Sequence, residues 1–246
     1  MGKYVIANGK ILLNGYDLSG DHNQIGLSVT REEREVTTFG KAGVQRIAGI
    51  QSFDVSGSGF FEAGTGKIDT VIAPQLGTSS VELTILPQNA TIGSKGFLSR
   101  INTFEYAPGG SVGDAMGFTF AGKGEGHVLV EGTVLKVGSV TANGTTTGFD
   151  LGYSTRYPMY ATLHVTATSG TGGTQELDVW IQSDNSSEFS SPTTRITFTV
   201  AGAVVTSQLA SSTLSSSTDT WWRASWESAG TNEGFTFYVT AGRSYL

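Results

Sequence analysis

The side chains best suited to catalysis are few and scattered in this sequence. It has no cysteine and three histidines, so a serine nucleophile would have to find its base at His22, His127 or His164. His164 alternates with Leu163 and Val165, a pattern that predicts an outward-pointing side chain on a strand. No G-x-S-x-G motif occurs, and EAGTGKID lacks the first glycine and the Ser or Thr of a phosphate-binding loop. We therefore predict neither a serine hydrolase nor a nucleotide site.

Acidic residues offer the other route to chemistry. Glu176 and Asp178 share one face of a predicted strand, whereas a glycosidase needs two carboxylates on either side of the scissile bond. Asp184 and Glu188 share the loop SDNSSE, where oxygen ligands could bind calcium. A solvated turn is the simpler interpretation of that loop. We expect no enzyme activity, no cofactor and no bound metal.

Tryptophan and arginine residues in the second half could form a binding surface. In TDTWWRASWES, alternation puts Trp222 and Trp226 on one face of a strand and Trp221 and Arg223 on the other. Trp180 lies opposite the apolar face of its own strand. Exposed aromatic side chains anchor protein interfaces or stack on sugar rings. Three interpretations stay open for Trp180, Trp221 and Arg223: burial under a second sheet, a protein interface, or contact with a glycan.

The most charged segment of the first half, REEREVTTFGKAGVQR, directly follows a strand signal. It contains the glycine-rich turn FGKAG, which predicts a protruding hairpin. Such a hairpin carries both signs of charge and could dock on the next copy of the chain; a solvated loop is the alternative. Arg34 and Glu35 are our candidates for charge pairs between subunits. The full set of inter-subunit contact candidates is Arg31, Glu32, Glu33, Arg34, Glu35, Lys41 and Arg46.

Strands must position these side chains, because apolar residues recur with a period of two along most of the chain. Clusters of Gly, Ser, Asn and Pro separate the strand signals, as in antiparallel sandwiches. The exception is TGKIDTVIAPQLG, where the apolar residues follow helical spacing. We expect one short helix over about residues 66–73, capped by Thr65 and ended by Pro74. The predicted fold class is therefore mainly β, with two β-sandwich or barrel domains.

Composition divides the chain into two halves, which we assign as domains 1–128 and 129–246. The first half carries 10 basic and 12 acidic side chains, and the second carries 5 and 9. All lysines lie at or before Lys136, and all tryptophans lie at or after Trp180. The net charge of −6 argues against a groove that neutralises many phosphates. No apolar run approaches the ~18 residues that cross a membrane, so we expect no membrane partner.

The first half resembles the tail tube (major tail) proteins of long-tailed, siphovirus-type bacteriophages over about residues 1–128. The resemblance rests on DLSGDHNQIGLSVTREEREVTTFG, QRIAGIQSFDVSGSGFFEAG and SVGDAMGFTFAGKGEG, in that order, with the helix signal before the last of them. It implies a virion structural protein that self-assembles, in the host cytoplasm, into hexameric rings stacked as a hollow conduit for DNA ejection. The implied partners are the tape measure, terminator and distal tail proteins. DNA would pass through the lumen of the phage tail without specific binding.

The second half resembles Ig-like β-sandwich domains appended to some phage tail proteins, through its alternating strands and the segment TDTWWRASWESAGTNEGFTFYVTAG. We expect this half to decorate the outside of the tube. The alternative function is a virion or surface decoration protein that contacts host glycans weakly through Trp180, Trp221 and Arg223. A hydrolase of host polysaccharide is a third hypothesis, for which the sequence offers no convincing pair of carboxylates.

Overall fold

The computed structural model describes residues 8–77, 80–126, 129–152, 157–169, 175–213, 218–230 and 234–244. Within these ranges the chain is mainly β with one short helix, so the predicted fold class is confirmed. The helix α1 (Ile68–Ile72) continues into a 3₁₀ turn, Ala73–Gln75. The strands are β1 (Lys10–Leu13), β2 (Tyr16–Asp17), β3 (His22–Glu35), β4 (Arg46–Phe60), β5 (Val81–Leu86), β6 (Lys95–Gly109), β7 (Gly117–Gly124), β8 (Val130–Val140), β9 (Gly144–Thr145), β10 (Phe149–Asp150), β11 (Met159–Ser169), β12 (Glu176–Asp184), β13 (Thr193–Ala201), β14 (Thr206–Ser212), β15 (Trp221–Ala229) and β16 (Gly234–Arg243).

The described strands pair antiparallel and form two sheets. The larger sheet follows the order β14-β11-β16-β8-β6-β5-β1-β2, and from β6 it also continues through β7 and β4 to β3. The smaller sheet has the order β10-β15-β12-β13, with β9 beside β15. Alternate side chains of these strands point inward, so each half of the chain has its own apolar core.

The first core lies between the N-terminal strands and α1. Phe53, Ile85 and Phe118 come from three different strands and belong to the same buried cluster as Ile68 and Ile72 of the helix. The helix is short because the next residues tighten into the 3₁₀ turn that contains proline, which has no N–H for a further helical bond. This helix therefore covers the core of the first half.

The prediction that Thr65 caps the helix is wrong, because Asp21 fixes its start. The Oδ2 atom of Asp21 accepts a hydrogen bond from the backbone N–H of Ile68 at 3.0 Å. Lys67 occupies the N-cap position and makes no side-chain capping bond. Asp21 is almost fully buried, and this burial raises the pKa of its carboxyl. Since the capping group lies 47 residues away in sequence, a local pattern could not identify it.

The second core lies between the smaller sheet and strands β8, β11 and β16. Trp222 and Ala224 of β15 are fully buried in it, and Trp226 packs against the same cluster. Alternation along TDTWWRASWES therefore separated the two faces of β15 correctly. The opposite face carries Trp221 and Arg223, which are half-buried.

Strand β5 is buried on both faces and lies between the two halves. Val81, Leu83 and Ile85 face the first core, whereas Glu82 and Thr84 bond to residues of the C-terminal half. The larger sheet is also continuous across the halves, because β6 pairs with β8. The boundary that we predicted at residue 128 lies outside the described residues, as does His127, and it stays a prediction.

His164 is fully buried, so the prediction that it points to solvent is wrong. Its Nε2 lies 2.9 Å from the hydroxyl of Thr84, which lies 2.9 Å from the hydroxyl of Thr162. The backbone N–H of Gly15 donates to His164 Nδ1 at 3.4 Å. Burial lowers the pKa of His164 to about 3, which keeps the ring neutral. The polar face of β11 thus packs on the polar face of β5 instead of facing water.

Candidate assembly surfaces

Strands β3 and β4 extend past the first core as one long hairpin. Every residue in the range 28–48 is exposed, and we call residues 30–50 the arm. Gly40 lies in the loop at its end with a φ of 84°, a left-handed conformation that favours glycine. The backbone N–H of Val36 donates to the carbonyl of Gln45 at 2.9 Å and closes that loop. The hairpin expected from the sequence is therefore present, and it projects into solvent.

Two ion pairs lie within the arm itself. Arg34 Nη2 lies 2.5 Å from Glu32 Oε1, and these residues share one face of β3. Arg46 pairs with Glu33 across the two strands. All four side chains are largely exposed, and exposed ion pairs contribute only about 0–1 kcal/mol to stability. Both pairs can therefore rearrange at little cost when another surface approaches.

The remaining charged candidates of the arm differ in their contacts. Arg31 donates from Nη2 to Gln51 Oε1 at 3.3 Å. Glu35 lies opposite Arg46 in the strand register, and neither Glu35 nor Lys41 forms an ion pair with a described residue. Contact of the seven charged candidates with another copy of the chain stays a prediction.

The arm also carries exposed apolar side chains that sequence reasoning missed. Phe39 is fully exposed, Ile50 is 80% exposed, and Val44 and Ile47 are each 55% exposed. The sequence did contain a signal for them. These apolar residues lie in a segment that carries too many charges to face a core. Burying such side chains stabilises a contact by about 1.5–3 kcal/mol each, more than an exposed ion pair does. The apolar residues are thus the stronger candidates for an interface.

The sheet that bears the arm has two free edges. Its strands follow the order β3-β4-β7-β6, and β3 pairs only with β4 among the described strands. The end of β6, from Glu105 to Gly109, pairs with β7 on one side and with no described strand on the other. Unpaired edges present backbone N–H and C=O groups that can bond to another chain. The two edges lie at opposite sides of the same sheet.

The face of this sheet turned away from the core is polar and built from small residues. Most of its residues are serine, threonine, glycine or alanine. Its ion pair joins Lys123 Nζ to Asp54 Oδ1 at 3.6 Å. Glu105 is exposed on the same face, opposite Ala121. Such a face offers hydroxyl groups and little charge, so it would not hold a row of phosphates.

The C-terminal candidates lie on the outer face of the smaller sheet. Trp180 is the cross-strand neighbour of Ser225, so Arg223 lies diagonal to it on the same face. The guanidinium of Arg223 stacks 4.3 Å from the ring centroid of Phe189. Burial lowers the pKa of Arg223. Trp180, Trp221 and Arg223 are all half-buried, and their binding role stays a prediction.

Asp184 organises the loop that we considered for calcium. Its Oδ1 accepts a hydrogen bond from the N–H of Ser186 at 3.1 Å, and its Oδ2 accepts one from the N–H of Ser191 at 2.9 Å. In the described part of the chain, no group of three or more His, Asp or Glu side chains is placed to hold a metal ion. No described helix is long and apolar enough to cross a membrane.

No protein-family model and no curated protein matches the chain. Among solved structures, a chain from the virion of a native gene transfer agent particle is similar, with 17% sequence identity and a TM-score of 0.41 over 50% of this chain and 93% of that chain. A chain from the tail of an empty gene transfer agent particle, from helical refinement with C6 symmetry, is similar with 20% identity and a TM-score of 0.37, over 48% of this chain and 92% of that chain. Both likenesses thus extend over about half of this chain and nearly all of the other.

Proposed function

We propose that this chain is a self-assembling structural subunit of a phage tail tube, in which hexameric rings stack into a hollow conduit for DNA. The observation that carries the proposal is the arm, which holds Phe39, Ile47 and Ile50 in solvent at the end of a sheet with two free edges. Burial of these side chains against another copy would stabilise a contact by about 1.5–3 kcal/mol each. The resemblance of residues 1–128 to tail tube proteins suggests the architecture that such a surface builds.

The strand order supports closure into a ring. The four strands β3-β4-β7-β6 alternate in direction, so the next copy can place its β3 beside the free end of β6 and keep the antiparallel alternation. Head-to-tail contacts of this kind close into a ring when the rotation between copies permits it. Closure would also cover both exposed edges, which otherwise favour uncontrolled pairing.

In such a ring the polar face of the sheet would line the channel. Its serine and threonine hydroxyls, and the neutralised pair of Asp54 and Lys123, offer no strong site for phosphate groups. The net charge of −6 likewise disfavours the binding of phosphate groups. DNA would therefore pass without specific binding, as a conduit requires.

The C-terminal half would lie on the outside of the tube. Its contacts with β5, where Ser207 donates to Glu82 Oε2 at 2.7 Å, fix it to the first half. The tape measure, terminator and distal tail proteins would meet the tube in its lumen and at its ends. The chain itself would act as a scaffold without enzymatic activity.

Sedimentation velocity on arm variants tests the proposal. Phe39→Asp combined with Ile50→Asp places charges on two exposed side chains, so the fold should be retained and ring or tube formation lost. The matched control is Val204→Asp, which alters a side chain that is 45% exposed in the C-terminal half. Assembly of the arm variant equal to that of the control would contradict the proposal.

A glycan-binding decoration protein is the second candidate. It is favoured by the placement of Trp180, Trp221 and Arg223 on one face of β12 and β15. A screen against bacterial surface glycans would support it if binding were lost on both Trp180→Ala and Trp221→Ala. Absence of any glycan binding by the assembled wild-type chain would exclude it.

A further inference from the structure

An apolar groove of about 350 Å³ opens beneath β3, at the base of the arm. Its floor includes buried Ile85, whereas Val29 at its outer end is 47% exposed. The groove is one place where side chains of the first core remain open to solvent among the described residues. Its lining side chains, contributed by β3 and by the segments opposite it, include Ile25, Leu27, Val29, Ile85, Phe97 and Leu129.

Phe39 suits the groove by its exposure and its size. It is fully exposed, and a single aromatic ring fits the volume of about 350 Å³. Phe39 cannot reach the groove of its own chain. Six extended residues from Val29 to Glu35 already carry the chain roughly 20 Å away from the groove. A Phe39 ring that fills such a groove therefore belongs to a second copy.

The rim of the groove carries one carboxylate, Glu131, with which a lysine of the arm could pair. Glu131 is the cross-strand neighbour of Phe97, so both side chains lie on the same face of the sheet. Glu131 pairs with Lys95 in the isolated protomer and is about half exposed. Lys41 follows Phe39 by two residues and forms no ion pair with a described residue. A seated Phe39 would bring Lys41 toward this carboxylate.

We infer that the apolar groove beneath β3 is the docking site for the arm of a second copy of the chain, with Phe39 seated in the groove and Lys41 beside Glu131 at its rim. The inference rests on the proposed function and adds a second contact between copies to the pairing of β3 with β6. It makes the interface heterologous, because arm and groove are different surfaces of each copy. Such contacts propagate into rings or filaments rather than stopping at a dimer.

Disulfide trapping tests the docking directly, because the natural chain has no cysteine. Phe39→Cys combined with Val29→Cys should give a ladder of covalent oligomers on a non-reducing gel, and the ladder should collapse on reduction. The matched control combines Phe39→Cys with Val204→Cys, since Val29 and Val204 are 47% and 45% exposed. The control should give no ladder, because a disulfide needs Cβ atoms about 4 Å apart.

Exchanging the charges of Lys41 and Glu131 tests the contact at the rim of the groove. Lys41→Glu should raise the protein concentration needed for assembly about tenfold, because it places like charges together. Glu131→Lys should do the same, and the double variant should restore assembly. Failure of the double variant to restore assembly would overturn the rim contact.

Two outcomes separate the docking site from the proposed function. Normal tubes or rings without a crosslink between positions 39 and 29 would overturn the groove assignment and leave the function standing. Chains that stay monomeric and uncrosslinked at the concentrations used would overturn both.

Discussion

The Nε2 atom of His164 lies 2.9 Å from the hydroxyl of Thr84, although 80 residues separate them in the sequence. This contact joins β11 of the C-terminal half to β5 of the N-terminal half. Both residues are fully buried, so the junction between the two halves, where β5 meets β11, contains a polar contact shielded from water. A buried polar group costs free energy unless it is hydrogen-bonded, and the bonds to Thr84 and Gly15 meet that need. The two halves are therefore held together by buried hydrogen bonds as well as by the packing of their side chains.

The junction predicts a loss of stability at acidic pH. Burial lowers the pKa of His164 to about 3, whereas an exposed histidine titrates near 6.5. The unfolded state therefore binds a proton that the folded state does not, and the free energy of unfolding falls as the pH drops below about 6.5. Between pH 7 and pH 5 this group contributes a loss of about 2 kcal/mol.

Urea unfolding at several pH values measures that loss. The carboxylates also titrate, so the comparison is between the wild-type chain and His164→Gln. The variant should be less stable at pH 7 and should show a shallower decline toward pH 5. Parallel pH profiles for the two proteins would contradict the assignment to His164.

The junction also depends on Glu82. Its Oε1 accepts a hydrogen bond from Arg100 at 2.8 Å, and its Oε2 accepts one from Ser207 at 2.7 Å. Glu82→Ala would leave these donors without their carboxylate and should lower the free energy of unfolding by about 2 kcal/mol. The matched control, Glu131→Ala, breaks an exposed pair and should cost less than about 1 kcal/mol. Equal losses in chemical denaturation would show that Glu82 makes no special contribution.

The cap of α1 gives a third prediction. Asp21→Ala removes the acceptor for the N–H of Ile68 and should destabilise the fold by about 1–2 kcal/mol. Thr65→Ala should leave thermal unfolding nearly unchanged, because Thr65 does not cap the helix. If Thr65→Ala were the more damaging change, the capping role of Asp21 would be wrong.

The charged arm gives a fourth prediction. Arg34→Glu combined with Glu35→Arg keeps the net charge but replaces the pair of Arg34 and Glu32 with two like charges. Fewer and shorter tubes are expected in electron micrographs if these side chains meet another subunit. Tube length and yield equal to those of the wild type would remove Arg34 and Glu35 from the interface.

Local patterns predicted the strands because period-two alternation reports which face of a strand is buried. They failed where burial arises from the pairing of distant elements. His164 lies on a polar face that packs against Thr84, and Asp21 caps a helix far along the chain. The charges of the arm indicate a hairpin in solvent, whereas nothing in the local sequence shows that Phe39 and Ile50 lack a core to pack against.

Copies of this chain should assemble through the arm into rings and tubes, and negative-stain electron microscopy of the concentrated, purified chain would show them. We expect rings with a central hole, stacked into tubes, and their loss in the variant that combines Phe39→Asp with Ile50→Asp. Monodisperse single chains in the wild-type sample would contradict it.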